Sequence, residues 1–301
     1  MCFEAVSMIQ SIRNELERVR LFRRRLPAED GPETAKARAS ARVLCIASGK
    51  GGTGKSVMAT NIAHVWAGRG QRVLLVDFDA GMANAHLLVG VAPKYDLGHV
   101  MAGECSAKDA IAEGPAGMHL LSGGVGRHAL VNPTRRQLDR LFRALDPLES
   151  DYDLVIIDHG AGMGYATVAH LAATSTRVLV TNPEVTALSD GYALYKRAHM
   201  VNPEIRVGLV MNRCASQHEA EAAWDRFQSA SQRFLGHAPQ YIGWVPADAS
   251  VRRSIAHRVP VVALDPCSPA ANAIGTLAQW GAIDHARTQR PFYSRARSAL
   301  R

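Results

Sequence analysis

The residues best suited to chemistry form a glycine-rich stretch near the start of the chain. Residues 49–56 read GKGGTGKS and fit the pattern G-x-x-x-x-G-K-[ST]. In such a loop the glycines let successive backbone N–H groups face an anion, and the N-terminus of the following helix adds partial positive charge. Lys55 can then reach the β- and γ-phosphates of a nucleotide, and the Ser56 hydroxyl can ligate Mg²⁺. The stretch therefore predicts a nucleotide-phosphate site.

The segments beside this loop have the pattern that gives the motif its meaning. Residues 43–47 form an apolar run typical of a buried strand, and residues 57–66 have the apolar spacing of a helix. The alternative is a glycine-rich turn carrying two surface lysines. A strand before the loop and a helix after it favour the phosphate site.

Three aspartates follow apolar runs and are candidates to complete this site. Asp77 and Asp79 come after residues 72–76, and Asp158 follows residues 154–157. Ligands gather at the carboxyl ends of parallel strands, where an aspartate can hold Mg²⁺ or orient the water that attacks the γ-phosphate. Turn formation or capping is the alternative role. We expect Asp158 to hold the metal and at least one of the other two to be functional.

Apolar runs alternate with helical patterns through residues 42–284, which we take as one domain. Further strands are predicted at residues 118–122, 177–181, 205–212 and 240–245, and helices at 133–145, 165–173, 187–199, 219–234 and 270–283. This alternation predicts an α/β fold with a doubly wound, mostly parallel sheet and helices on both faces.

The two ends of the chain differ from this domain. Residues 1–41 comprise an amphipathic helix at 3–26, with arginines in its second half, and a linker. That helix could dock on the domain, bind a partner or lie on a membrane surface, and the sequence leaves these roles open. Residues 285–301 are basic and contain no acidic residue. They predict a solvated tail, with weak binding to anionic lipid or nucleic acid as the alternative.

Composition narrows the class of protein. The chain has 301 residues, of which 47% are hydrophobic, and a net charge of +8, which suits nucleic acid, an anionic membrane surface or an acidic partner. Its five cysteines form no C-x-x-C pair, which argues against iron–sulfur or zinc binding. No apolar run approaches the length of a membrane span. We expect a cytoplasmic protein, with peripheral contact at the inner face of the cell membrane as an additional option.

The P-loop resembles the deviant Walker A loop of the MinD/ParA superfamily. The resemblance rests on Lys50, which directly follows the first glycine. In that family the extra lysine crosses a nucleotide-sandwiched dimer and touches the phosphates of the other subunit. The resemblance implies an ATPase that hydrolyses ATP to ADP and phosphate, uses Mg²⁺ and forms a homodimer with ATP.

The same resemblance implies roles for later segments. Residues 76–84 are similar to switch I, which makes Asp79 the water-orienting aspartate, and residues 158–162 are similar to switch II. Asn212 and Arg213 match the adenine-contacting pair, and residues 245–248 match a second base-side segment.

The implied site has three groups of residues. The catalytic residues are Lys50, Lys55 and Asp79; the nucleotide-binding residues are Gly49, Lys50, Gly51, Gly52, Thr53, Gly54, Lys55, Ser56, Val57, Asn212, Arg213, Pro246 and Asp248; the metal ligands are Ser56, Asp77 and Asp158.

Within the superfamily the chain resembles the flagellar-number regulators of FlhG/FleN type, notably at residues 102–106, 113–117 and 186–196. This implies control of flagellar number or placement through a flagellar regulator, an FlhF-like GTPase or a basal-body protein. Two positions depart from the branch, because His86 stands where Asp is usual and His159 where Thr or Ser is usual. The N-terminal helix also lacks the activator motif that would stimulate an FlhF-like GTPase.

Three alternatives stay open. A ParA-type partition or positioning ATPase would bind DNA through Arg252, Arg253, Arg258 and the basic tail. A bacterial tyrosine kinase shares the loop but uses a tyrosine-rich tail, and this tail contains only Tyr293. A nucleotide-binding scaffold with little turnover is the third.

Overall fold

The computed structural model describes residues 41–79, 83–124, 133–160, 165–280 and 291–300. These residues form an 8-stranded sheet in the spatial order β3-β4-β2-β5-β1-β6-β7-β8, parallel except for the β3–β4 pair. Its strands are β1 Arg42–Ala47, β2 Val73–Phe78, β3 Ile111–Glu113, β4 His119–Leu121, β5 Leu154–His159, β6 Thr176–Thr181, β7 Arg206–Cys214 and β8 Gln240–Pro246. The predicted doubly wound α/β fold is confirmed.

Helices connect the parallel strands and cover both faces of the sheet. They are α1 Lys55–Gly68, α2 Ala85–Leu88, α3 Leu97–Ala102, α4 Arg135–Leu145, α5 Tyr165–Ala173, α6 Val185–Val201, α7 Gln217–Leu235, α8 Ala249–His257, α9 Val261–Leu264, α10 Pro269–Leu277 and α11 Phe292–Ser298. None of these described helices has both the length and the apolar character needed to cross a bilayer.

Alternation along the strands divides the core into two layers. Leu44 and Ile46 of β1 pack against α1, α9 and α10, whereas Val43 and Cys45 face α4, α5 and α11. On the same face as Cys45, Ala47 and the inward residues of β6 and β7 pack against α6 and α7. Because successive side chains of a strand point to opposite faces, each strand contributes to both layers.

The strand order places a binding crevice beside β1. This strand lies between β5 and β6: the chain leads from β1 to β2 on one side of it, and later from β5 to β6 and β7 on the other side. In open parallel sheets the crevice outside the carboxyl ends of the strands at such a reversal is where ligands bind. The loop that follows β1 is the glycine-rich stretch, residues 48–54.

The C-terminal end corrects one prediction. Instead of a solvated tail, α11 packs into the core, with Phe292 0% and Tyr293 1% exposed. Glu149 accepts hydrogen bonds from the backbone N–H groups of Phe292 (2.8 Å) and Tyr293 (2.7 Å), and Arg297 pairs with Asp139 at 3.1 Å. The basic composition led to the wrong prediction for two reasons. The segment contains an aromatic pair that packs in the core, and two carboxylates on other elements bind its N–H groups and Arg297.

Several sequence predictions fall outside the described residues. They concern the N-terminal amphipathic helix, the linker through residue 40, residues 80–82 of the predicted switch I, residues 161–162 of the predicted switch II, and residues 285–290. The domain boundaries at residues 41 and 284 stay predictions.

Candidate functional site

The P-loop conformation depends on two close approaches. Gly54 has a φ of 95°, in the left-handed region that favours glycine, and a side chain there would meet Asn212. Gly49 passes against the backbone of Asp190 in α6, where a Cβ would clash. Asn212 Nδ2 donates a hydrogen bond to the Thr53 carbonyl at 2.7 Å. Asn212 of β7 and Asp190 of α6 thus pack against the loop and restrict its conformation.

Lys55, the first residue of α1, lies between two carboxylates. Its Nζ is 2.9 Å from Asp79 Oδ2 and 4.0 Å from Asp158 Oδ1. Although burial opposes the charge, the negative charges of Asp158 and Asp79 raise the pKa of Lys55. The ammonium is therefore charged at neutral pH. The structure brings together the three side chains for which we predicted phosphate, water and metal contacts.

Asp158 is the side chain best placed to hold a metal ion. It is fully buried, and the groups beside its carboxylate are the Ser56 hydroxyl and the Lys55 ammonium, 4.0 Å away. Burial raises its pKa to about 6, although Lys55 and the Ser56 hydroxyl beside it act in the opposite direction. A buried carboxylate next to a hydroxyl at the start of α1 is a donor set suited to Mg²⁺. Ser56 and Asp158 therefore fit the predicted ion.

Asp77 has a different set of contacts. Its Oδ1 accepts the backbone N–H of Asp79 at 2.9 Å, and its Oδ2 accepts that of Ala85 at 3.1 Å. Burial and then the charge of Asp158 raise its pKa to about 8. These bonds fix the backbone that carries Asp79. The metal role of Asp77 stays a prediction, and its observed contacts favour a positioning role.

Lys50 lies at the exposed surface of the loop. Its Nζ donates to Thr186 Oγ1 at 3.1 Å and is 3.6 Å from Glu184 Oε2, with side-chain exposures of 44% for Lys50 and 62% for Glu184. The sequence predicted a contact of Lys50 with the other subunit and none within its own chain. Glu184 follows β6 at the same carboxyl edge as the aspartates, so the strand-end rule could have found it.

The other predicted phosphate-binding residues lie in the loop and the first turn of α1. Gly51 and Gly52 are exposed at the loop tip, and Val57 is partly buried. Ser48 Oγ donates to the Lys50 carbonyl at 2.8 Å, which ties the loop to the end of β1. Their nucleotide contacts stay predictions.

The predicted base-side residues lie at the ends of β7 and β8. Asn212 is beside the loop, Arg213 is exposed with a φ of 59°, and Pro246 ends β8. Asp248 accepts backbone N–H groups at the starts of α8 (2.7 Å) and α10 (3.1 Å). Its carboxylate therefore joins two helices, while contact of this group with an adenine base stays a prediction.

The two histidines that depart from the resembled branch are both neutral near pH 7. Burial, with a smaller effect of Arg258, lowers the pKa of His86 in α2. Burial lowers the pKa of His159, the last residue of β5, well below its usual value. His159 points to the sheet face opposite Asp158, because the two are consecutive in a strand.

Known proteins match most of this chain. The AAA domain family model matches residues 41–211. The antiactivator FleN of Pseudomonas aeruginosa is 32% identical over 238 residues, which cover 79% of this chain and 85% of that protein. The flagellum site-determining protein YlxH of Helicobacter pylori is 29% identical over 218 residues, covering 72% and 74%.

A solved structure that contains Mg-ADP extends the similarity from the sequence to the fold. The septum site-determining protein MinD of Pyrococcus horikoshii, complexed with Mg-ADP, is 28% identical and superposes with a TM-score of 0.67 over 79% of this chain and 95% of that one. The residues that the family model matches include the P-loop and the carboxylates at the ends of β2 and β5. This chain therefore belongs to the AAA domain family, among P-loop ATPases of MinD/ParA type and near their FlhG/FleN branch.

Proposed function

We propose that this chain is an ATP-dependent switch ATPase that regulates the number or placement of flagella. The observation that carries the proposal is the position of Lys55 between Asp79 and Asp158, beside Ser56 at the start of α1. Similarity to an antiactivator, FleN, and to a flagellum site-determining protein, YlxH, supports the flagellar role. ATP closes a homodimer, hydrolysis reopens it, and the two states offer different surfaces to partners.

In this scheme the residues of the chain position the reactants. Mg²⁺ held by Ser56 and Asp158 supplies charge neutralisation at the β- and γ-phosphates of ATP. Lys55 exchanges its contact with Asp79 for phosphate oxygens, which are acceptors of the same charge type. The Asp79 carboxylate then orients the attacking water, while Asp77 keeps the backbone of Asp79 in place. Positioning and electrostatics suffice, because phosphoryl transfer needs little covalent participation by the protein.

Lys50 of the deviant Walker A loop links hydrolysis to dimerisation. Its contacts with Thr186 and Glu184 are on the surface, and exposed ion pairs of this kind contribute at most about 1 kcal/mol. Lys50 therefore leaves them at small cost and reaches the phosphates bound by the partner subunit when two copies meet face to face.

The partners that suit this function are a flagellar regulator, an FlhF-like GTPase or a basal-body protein. We place the protein in the cytoplasm, with peripheral contact at the inner face of the membrane through its N-terminal segment. DNA binding has less support, because Arg253 is paired with Asp265 at 2.8 Å and α11 of the basic end is packed in the core. The tyrosine-kinase hypothesis also has less support, because Tyr293, the only tyrosine of the C-terminal segment, is 1% exposed.

Counting flagella tests the biological role. Cells lacking the protein should have an altered number or position of flagella, which the wild-type gene restores and a Lys55→Ala gene does not. Lys108→Ala is the matched control, because Lys108 forms an exposed ion pair with Asp151 at 3.2 Å near the start of β2. Unaltered flagella in the deletion strain would overturn the flagellar role. ATP turnover of the purified protein tests the ATPase role separately, and its absence would favour a scaffold.

A further inference from the structure

Five polar side chains lie together on the sheet face opposite α1. They are Cys45 on β1, His159 on β5, His170 on α5, Arg177 on β6 and Tyr293 on α11, and none is more than 1% exposed. We call this group the Arg177 cluster. It is separate from the nucleotide site, because Asp158 points to the other face of the same strand.

The members of the cluster are close neighbours. Cys45 and Arg177 are paired residues of the adjacent strands β1 and β6. The ring centroid of His170 is 4.9 Å from that of His159 and 6.0 Å from that of Tyr293. Burial lowers the pKa of both histidines, and the next cause is Arg177 for His170 and His170 for His159, where Arg177 follows.

The cluster contains many polar atoms without hydrogen bonds. The Cys45 thiol is a weak hydrogen-bond partner of Arg177. Among the other described residues, no partner is found for Nε, Nη1 and Nη2 of Arg177, for either ring nitrogen of His170, for His159 Nε2 or for Tyr293 Oη. A buried polar atom without a partner costs about 1–3 kcal/mol, and a buried charge costs more. Seven such atoms in one place are unusual for a native core, in which most buried polar groups are bonded.

Neither nearby acid neutralises Arg177. Burial raises the pKa of the Cys45 thiol even though Arg177 opposes this, so the thiol is protonated and is at best a weak acceptor. Glu149 accepts the backbone N–H groups of Phe292 and Tyr293 and interacts with the charge of Arg295. The described residues thus place neutral polar groups around this position and no anion to balance the Arg177 charge.

We propose that the Arg177 cluster binds one small monovalent inorganic anion of chloride size. The Arg177 guanidinium is its charged ligand, and the Tyr293 hydroxyl and a ring N–H of His170 are neutral donors. A water molecule would satisfy some of the donors but would leave the guanidinium charge uncompensated. Larger anions are excluded, because the rings of Phe78, Phe142 and Phe292 pack around His170.

Bromide locates the site directly, since it substitutes for chloride and scatters anomalously. Crystals of the full-length wild-type protein grown with sodium bromide should show an anomalous peak within hydrogen-bond distance of the Arg177 guanidinium. A map with no peak there would overturn the proposal. This result needs no variant, so it stands even if a substituted protein fails to fold.

Thermal unfolding tests the same site in solution. At equal ionic strength the wild-type Tm should be about 5 °C higher in sodium chloride than in sodium gluconate, and the rise should saturate, as for one-site binding to the folded chain. Arg177→Met should abolish the difference. Arg206→Met is the matched control, because Arg206 is exposed at the start of the neighbouring strand, and it should keep the difference. Equal Tm values of the wild type in the two salts would overturn the proposal.

Discussion

Two cations on opposite faces of the same sheet are largely or fully buried, and their surroundings differ. Lys55, 8% exposed, lies 2.9 Å from Asp79 and 4.0 Å from Asp158. Arg177, 1% exposed, has the weakly accepting Cys45 thiol beside it and no carboxylate partner among the described residues. The charge of the first cation is balanced by carboxylates of the protein, whereas the second cation is surrounded by neutral polar groups.

The difference shows two ways in which a fold can carry a buried charge. The carboxylates beside Lys55 belong to the ends of β2 and β5, where the site opens toward a ligand, so nucleotide phosphates can replace them. The Arg177 cluster is closed by α5 and α11 and needs its anion for as long as the chain is folded. The Lys55 charge takes part in the exchange of ligands, whereas the Arg177 charge holds one anion inside the folded core.

The largest expected effect is the loss of ATP affinity when Lys55 is replaced. Lys55→Ala should weaken ATP binding at least about 100-fold, because it removes charge-assisted contacts with two phosphates, each worth about 1.5–3 kcal/mol. Isothermal titration with Mg-ATP measures the affinity, and circular dichroism checks that the variant is folded. Lys108→Ala should bind as the wild type does. Unchanged affinity of the Lys55 variant would mean that its carboxylates are structural partners and that the P-loop assignment is wrong.

The next prediction tests whether α11 packs over the Arg177 cluster. Phe292→Ala should lower the free energy of unfolding by about 3–5 kcal/mol, because Phe292 is 0% exposed and its ring lies 5.3 Å from that of His170. Urea unfolding measures the change. Phe234, 67% exposed at the end of α7, is the control, and Phe234→Ala should change stability by less than about 0.5 kcal/mol. Equal effects of the two substitutions would show that α11 does not belong to the core.

Asp79 and Lys50 separate hydrolysis from dimerisation on the nucleotide side. Asp79→Ala should bind ATP, hydrolyse it at least about 100-fold more slowly and accumulate as a dimer, because the attacking water is no longer oriented. Lys50→Ala should also hydrolyse slowly but stay monomeric, because the contact with the partner subunit is lost. Light scattering with Mg-ATP distinguishes the two. The assigned roles are wrong if both variants have the same oligomeric state.

Much of the nucleotide side could be predicted from the sequence, because its signals are local. The spacing of residues 49–56, the strand before them and the aspartates after strands each follow from short-range rules, and the structure brings Lys55, Asp79 and Asp158 together. What these rules could not supply is the division of roles among the carboxylates. The two backbone hydrogen bonds to Asp77 depend on where the N–H groups of Asp79 and Ala85 lie, which no spacing reveals.

The Arg177 side could not be predicted, because its members are far apart in the chain. Cys45, His159, His170, Arg177 and Tyr293 come from five elements, and each is unremarkable in its own segment. The predicted solvated tail was wrong for the same reason. Its arginines are visible in the composition, whereas Glu149, which accepts the first N–H groups of α11, precedes that helix by more than a hundred residues.

The smallest expected effect is the contribution of His170 to the loss of stability at acid pH. Burial, with a smaller effect of Arg177, lowers the pKa of His170 to about 3, against about 6.5 in an unfolded chain. Below about pH 6.5 the unfolded chain takes up a proton at this residue that the folded chain does not, so the free energy of unfolding falls as the pH falls. The contribution of His170 is about 1.4 kcal/mol per pH unit.

His170→Phe should remove this contribution and retain the packing, because the ring already lies among Phe78, Phe142 and Phe292. His159 still titrates, so the variant should keep a shallower acid slope than the wild type and should not become independent of pH. Urea unfolding at several pH values between about 7 and 5 measures the two slopes. His218→Phe is the control, because this exposed histidine gains no burial on folding, and it should keep the wild-type slope. If the His170 variant has the same slope as the wild type, His170 is protonated in the folded chain, and it then adds a second positive charge to the Arg177 cluster.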